Sequence, residues 1–168
     1  MYVSKRWILR GVLTALCALA VGFILYNSLQ PAVESAAQSS RVVSLVQRVA
    51  VVIAPNSAIA NATGEAYQLL HEIVRTLAHF SEYALLGALG GWCCMSYTVK
   101  KTVYGIPMVG VIALSMVDEW LQTFTAGRGA QWLDVLVDVA GGWCGVAFAV
   151  MTVWMTMMIV KRRKHETR

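Results

Sequence analysis

Apolar positions gather into four long runs, at residues 7–29, 77–97, 103–123 and 132–160. A helix of about 20 residues crosses the hydrocarbon core of a bilayer, so each run predicts one span. Between the first two lies a mixed segment, residues 30–75. Ser35, Ser39 and Ser40 predict a polar turn region there. Val42, Val43, Leu45, Val46, Val49, Val52 and Ile53 then recur near helical spacing, with Arg41, Gln47 and Arg48 between them. That pattern predicts an amphipathic helix lying on the bilayer surface or packing as a lid, broken by Pro55, Asn56 and Ser57. A short helix over 64–75 leads into the second span; a re-entrant or loosely ordered loop is the competing reading of this segment. Pro107 sits near the start of the third span, where a proline costs least. Residues 124–131 form a tight loop around Gly127-Arg128-Gly129. Gly87-x-x-x-Gly91 and Gly141-x-x-x-Gly145 permit close helix contact in the second and fourth spans.

The first run has a competitor, a cleaved signal peptide with Ala18-Leu19-Ala20 as the cut. The apolar run continues through residues 21–26 beyond that point, which favours an uncleaved helix.

Composition agrees with this pattern. Of 168 residues, 58% are hydrophobic and 14% charged, against roughly 25% charged in a soluble domain. Mean hydropathy is +0.60. The net charge of +5 does not signal nucleic acid, because the basic residues flank the apolar runs. With the N-terminus inside, the inner face receives Lys5, Arg6, Arg10, Lys100, Lys101, Lys161, Arg162, Arg163, Lys164 and Arg168, ten of the fourteen basic residues, and only Glu166 of the nine acids. The inverted topology reverses that bias. The expected fold is therefore all-α: a single domain, residues 1–168, forming a polytopic transmembrane bundle of about four spans. It is N-in and C-in in a bacterial cytoplasmic membrane, with a basic cytoplasmic tail at 161–168. Cys17, Cys93, Cys94 and Cys144 lie in apolar runs without ligand spacing and predict buried thiols.

Depth brings in the chemistry. At about 1.5 Å per residue, Glu82 and Asp118 lie roughly 8 Å, and Asp138 roughly 9 Å, inside the outer ends of their spans. His79, Glu119, Gln122 and Asp134 are shallower. His79, Glu82 and Tyr83 share one helical face, as do Asp118 with Gln122 and Asp134 with Asp138. Carboxylates facing lipid are costly, so they should face one another across the bundle, and ionisable groups in that setting are functional candidates. Glu82, Asp118, Glu119, Asp134 and Asp138 outnumber Arg75 and Arg128. Raised carboxyl pKa values, a divalent metal ion or a cationic ligand group would each restore balance. The candidate metal ligands are His79, Glu82, Asp118 and Asp138, and the candidate catalytic groups His79, Glu82, Asp118 and Glu119. Tyr83, Gln122, Arg128, Asp134, Asp138 and Arg75 are candidate ligand contacts. The bland alternative is a satisfied network that locks helix packing, with Arg128 clamping Asp134, Gln122 bridging and His79 bonded to Glu82.

Three segments carry a resemblance. Residues 75–87 read R-T-L-A-H-F-S-E-Y-A-L-L-G, residues 118–128 D-E-W-L-Q-T-F-T-A-G-R, and residues 134–145 D-V-L-V-D-V-A-G-G-W-C-G. In order, they resemble the VanZ-like family of bacterial membrane proteins, with its A-H-F-x-E-Y-x-x-L-G, D-E-x-x-Q-x-F, G-R and D-x-x-x-[ND]-x-x-G. The spaced serines of 27–39 are also similar to the family's first outer segment. The resemblance implies a small four-helix envelope protein. It also implies a link to susceptibility to the glycopeptide teicoplanin, and it marks the residues named above from His79 to Asp138. Asparagine is also common at the Asp138 position. No reaction is assigned to the family, so no catalytic role carries over.

The expected function is to bind or modify an outer-leaflet envelope component: membrane lipid, a lipid-linked envelope precursor or a glycopeptide. The alternative is a metal-dependent hydrolase or transferase acting on a lipid-linked or phospholipid headgroup, with His79 or Glu82 as base and Arg128 receiving phosphate. An ion-coupled transporter is disfavoured, because the inner halves of the three motif spans carry no charge.

Overall fold

The computed structural model describes residues 2–98 and 100–166. Its centre is a contact between two backbones. Helices α3 (Gly64–Tyr97) and α5 (Trp132–Glu166) meet through the two glycine motifs. A Cβ on Gly87 would strike the carbonyl of Gly142, and one on Gly145 the carbonyl of Ala84. A Cβ on Gly91 would stand 2.8 Å from that of Ala149. Small residues let helices approach this closely, and the dispersion contacts so gained hold the pair.

The other helices dress this pair. α1 (Tyr2–Ser28) runs antiparallel to α3. Near its start, Arg10 donates to the Ser96 carbonyl at 2.9 and 3.1 Å and stacks on Tyr97. Near its end, Asn27 donates to Glu82 at 3.0 Å. α4 (Gly105–Gln122) follows a 3₁₀ turn (Lys101–Tyr104) and rests on α5, with Val111 against Gly142. Ile24, Tyr83, Leu86 and Val111 form one core cluster, and Met95, Val103 and Ala149 another. Trp92 donates to Thr152 at 2.9 Å and meets the Phe148 ring edge-on. Trp92→Phe keeps the ring but loses this bond. The expected loss is about 1 kcal/mol, read as a lower thermal midpoint in detergent.

Helix limits differ from expectation in ways the backbone explains. α2 spans Ala32–Ile53, so the helix begins ten residues before the expected 42. Ser35, Ser39 and Ser40 lie inside it rather than in a turn. Neither Gly nor Pro interrupts residues 32–53, and serine alone is a weak breaker. α3 runs unbroken through 64–97, merging the short helix with the second apolar run, because nothing between Glu65 and Leu86 stops it. Residues 103 and 104 of the third run belong to the 3₁₀ turn, and α5 continues past residue 160 into the basic tail. Arg168 lies outside the described residues, as do the side chains of Lys101 and Lys164.

Among the described residues, two helical stretches are long and apolar enough to cross a membrane, Lys5–Ser28 and Trp132–Arg163. Only 6% and 17% of their most apolar windows are buried. The core helix of a soluble protein would be mostly buried, so these outward apolar faces fit lipid as the surrounding solvent. Phe23, Leu19, Trp143 and Trp154 are among the large side chains so exposed.

Candidate functional site

The helical repeat aligns the polar residues before any packing occurs. On α3, Arg75, His79, Glu82 and Tyr83 fall on one face; on α4, Ser115, Asp118, Glu119 and Gln122; on α5, Asp134 and Asp138. Packing turns these faces toward one another at one end of the bundle, where α1 adds Asn27 and Ser28. Tyr83, Asp138 and Ser115 are fully buried, Asp118 and Gln122 are 1% exposed, and Glu119 is 4% exposed.

The partners differ from the expected network. Asp134 is paired by Arg75, at 2.9 Å, and not by Arg128. His79 Nδ1 meets Asp138 Oδ1 at 3.3 Å rather than Glu82. The Ser115 hydroxyl donates to Asp138 Oδ2 at 3.0 Å. Glu82 accepts instead from Asn27, and Glu119 Oε2 accepts the backbone N–H of Gln131 in the loop between α4 and α5. Gln122 bridges nothing: both its amide atoms, together with Asp118 Oδ1 and Glu119 Oε1, are buried with no hydrogen-bond partner among the described residues. Buried polar atoms are otherwise nearly always satisfied, so this concentration of orphans marks the site.

His79, Asp118 and Asp138 bring one donor atom each within 4.8 Å of one another, which suits a metal ion. Glu82, expected as a fourth ligand, is not in that group. Beside it opens a cavity of about 160 Å³, bordered by Asn27, Arg75, His79, Glu82, Asp118 and Arg128. Ser35, Gln38, Ser39 and Val42 of α2 close one side of it. A second polar cavity of about 110 Å³ continues beneath α2 to Gln122 and the loop of Gly127 and Arg128. The first half of α2 thus covers the site, while its second half exposes Leu45, Val49, Val52 and Ile53. Arg128 reaches the Asn27 carbonyl at 3.4 Å. Burial and then the nearby Arg75 charge lower its pKa, while Asp118, Glu119 and Asp134 raise it. Its guanidinium stays cationic at physiological pH.

Sequence reasoning missed Asn27, Ser115 and the α2 serines as site residues. Asn27 is a polar interruption closing an apolar run, and Ser115 sits one turn before Asp118 on the same face. Both signals are present in the sequence but weak, because neither residue is ionisable.

Apolar helices facing outward around a buried polar layer at one end define a class: a small helical membrane protein with an internal polar site. The chain belongs to the VanZ/LLP1 family, whose sequence profile matches residues 13–160. No curated protein and no solved structure matches it.

Proposed function

We propose that the chain is a multi-pass envelope protein of a bacterial cytoplasmic membrane that binds the polar headgroup of an outer-leaflet component. In this reading α1, the second part of α3, α4 and α5 cross the bilayer, N-in and C-in. Arg10 and Lys161, Arg162 and Arg163 lie toward the cytoplasm, and the polar cavity toward the outside, in keeping with the bias of basic residues to inner loops. The exposed apolar half of α2 rests on the outer surface of the bilayer.

The observation that carries the reading is the cavity's mixed lining, with Arg75 and Arg128 beside Glu82 and Asp118. That arrangement complements a zwitterionic headgroup. Arg128 suits a phosphate, and the Glu82 carboxylate suits an ammonium. A phosphoethanolamine-type headgroup fits this pattern, and a lipid-linked precursor or a glycopeptide would enter by the same amine and phosphate chemistry. The link to teicoplanin susceptibility belongs to the same proposal, through occupancy or alteration of an envelope component.

The test is thermal unfolding of the purified chain in detergent, titrated with phosphatidylethanolamine or phosphatidylglycerol. Phosphatidylethanolamine is expected to raise the midpoint in a saturable manner, and Glu82→Gln or Arg128→Gln to abolish the rise. Equal stabilisation by both lipids, or by neither, defeats the headgroup reading. In cells, expression is expected to raise tolerance to teicoplanin, with loss of that effect in Arg128→Gln; unchanged tolerance removes the antibiotic link.

A further inference from the structure

The geometry points to a divalent transition-metal site formed by His79, Asp118 and Asp138, one ligand from each of α3, α4 and α5. The inference rests on reading the polar layer as a ligand site and deepens it by naming an inorganic occupant next to the headgroup cavity.

Four observations converge. The three donor atoms lie within 4.8 Å of one another. A tetrahedral ion held at about 2.1 Å spaces its ligands by roughly 3.4 Å, so closing the set takes side-chain movement of about an ångström. The separation between His79 Nδ1 and Asp138 Oδ1 is already 3.3 Å, that of two ligands sharing an ion. Asp118 Oδ1 is buried without a hydrogen-bond partner among the described residues, on a side chain 1% exposed. An acceptor so placed asks for a positive charge, and none of the described hydrogen bonds or ion pairs supplies one. Finally, Ser115 donates to Asp138 Oδ2 at 3.0 Å. That contact fixes the carboxylate and leaves Oδ1 turned to the histidine, as an outer-shell hydrogen bond does for a ligating carboxylate.

The donor set selects the metal. One imidazole and two carboxylates favour zinc or manganese over magnesium and calcium, which prefer oxygen alone. No thiolate lies in the group, which disfavours copper(I). Three protein ligands leave a coordination position open, as in zinc sites that bind water or a substrate oxygen. The cavity of Glu82, Asn27 and Arg128 adjoins His79 and Asp118, so a phosphate oxygen held by Arg128 stands within the same enclosure as the ion.

The test uses the full chain, purified in detergent on an affinity tag without histidine. It is dialysed against zinc or manganese, passed over a desalting column and measured by elemental mass spectrometry. About one ion per chain is expected, falling below a tenth in Asp118→Asn and in His79→Gln and unchanged in His71→Gln, whose imidazole lies beyond the cluster. Cobalt(II) loading reads the ligand set without any variant. Weak visible bands with no thiolate charge-transfer band are expected. A strong thiolate band, placing the ion on cysteine, overturns the proposal, as does wild-type protein that stays monodisperse but retains no metal. Metal retention that survives both substitutions overturns it too. The result is separable from the headgroup reading: lipid stabilisation without metal defeats this inference alone, and metal without lipid stabilisation defeats the other.

Discussion

Gly145→Ala is expected to prevent the bundle from assembling. A single methyl group there would overlap the carbonyl of Ala84 and crowd the amide nitrogen of Ala88. Both are backbone atoms inside α3, so no side chain can rotate aside. Overpacking usually costs about 1–3 kcal/mol when neighbours can adjust. Here the two helices must separate along their length, and about 3 kcal/mol or more is expected. Separation also pulls His79 away from Asp138, since these lie on the same two helices. Size-exclusion profiles in detergent check this, with aggregated or absent protein as the expected outcome. Gly22→Ala is the control. No atom lies within 4 Å of a Cβ at that position, and alanine is a better helix former than glycine. A variant Gly145→Ala that elutes and melts like the wild type would show that α3 and α5 do not meet backbone to backbone.

The second large effect lies at Asp138. Its carboxylate is fully buried and serves two donors, His79 and Ser115. Asp138→Leu removes both acceptors while leaving the donors enclosed. Buried groups stripped of a partner cost more than the bond was worth, and a broken buried ion pair costs about 3–5 kcal/mol. Asp138→Leu is therefore expected to lose about 3 kcal/mol or more. Asp138→Asn keeps the shape and one acceptor oxygen and should lose about 1 kcal/mol. Thermal unfolding with a chelator present keeps any metal contribution out of the comparison. Equal losses in the two variants would mean that the carboxylate's charge, which both remove, matters and the retained acceptor oxygen does not.

These two residues also show what could be read before folding. The common depth of Glu82, Asp118 and Asp138, with His79 about one turn shallower, is legible because each helix carries its own ruler, and counting residues from the end of an apolar run is enough. The partners were not. Asp134 faces Arg75 rather than Arg128, and His79 faces Asp138 rather than Glu82. Which face of one helix meets which face of another depends on the rotation that the glycine contacts impose. The motifs Gly87-x-x-x-Gly91 and Gly141-x-x-x-Gly145 announce a close approach but not its register. The reach of α2 is hidden for a different reason. Spaced serines look like a turn in a sequence, yet Pro31 and Pro55 are what flank the helix. The cavity wall is hidden with it, because Ser35, Gln38 and Ser39 lie in that serine-rich stretch.

The pairing between α3 and α5 sets an order on the making of the protein. Ribosomes deliver residues from the N-terminus, so Arg75 and His79 emerge 59 residues before Asp134 and Asp138. Until α5 arrives, α3 holds two polar side chains without their acids, and α4 holds Asp118 and Glu119 beside them. A chain that stops short of residue 138 leaves this half-built cluster in the insertion machinery or facing lipid. Such a fragment would hand membrane proteases a signal of incompletion: α5 is the helix whose arrival makes the rest fit to stay.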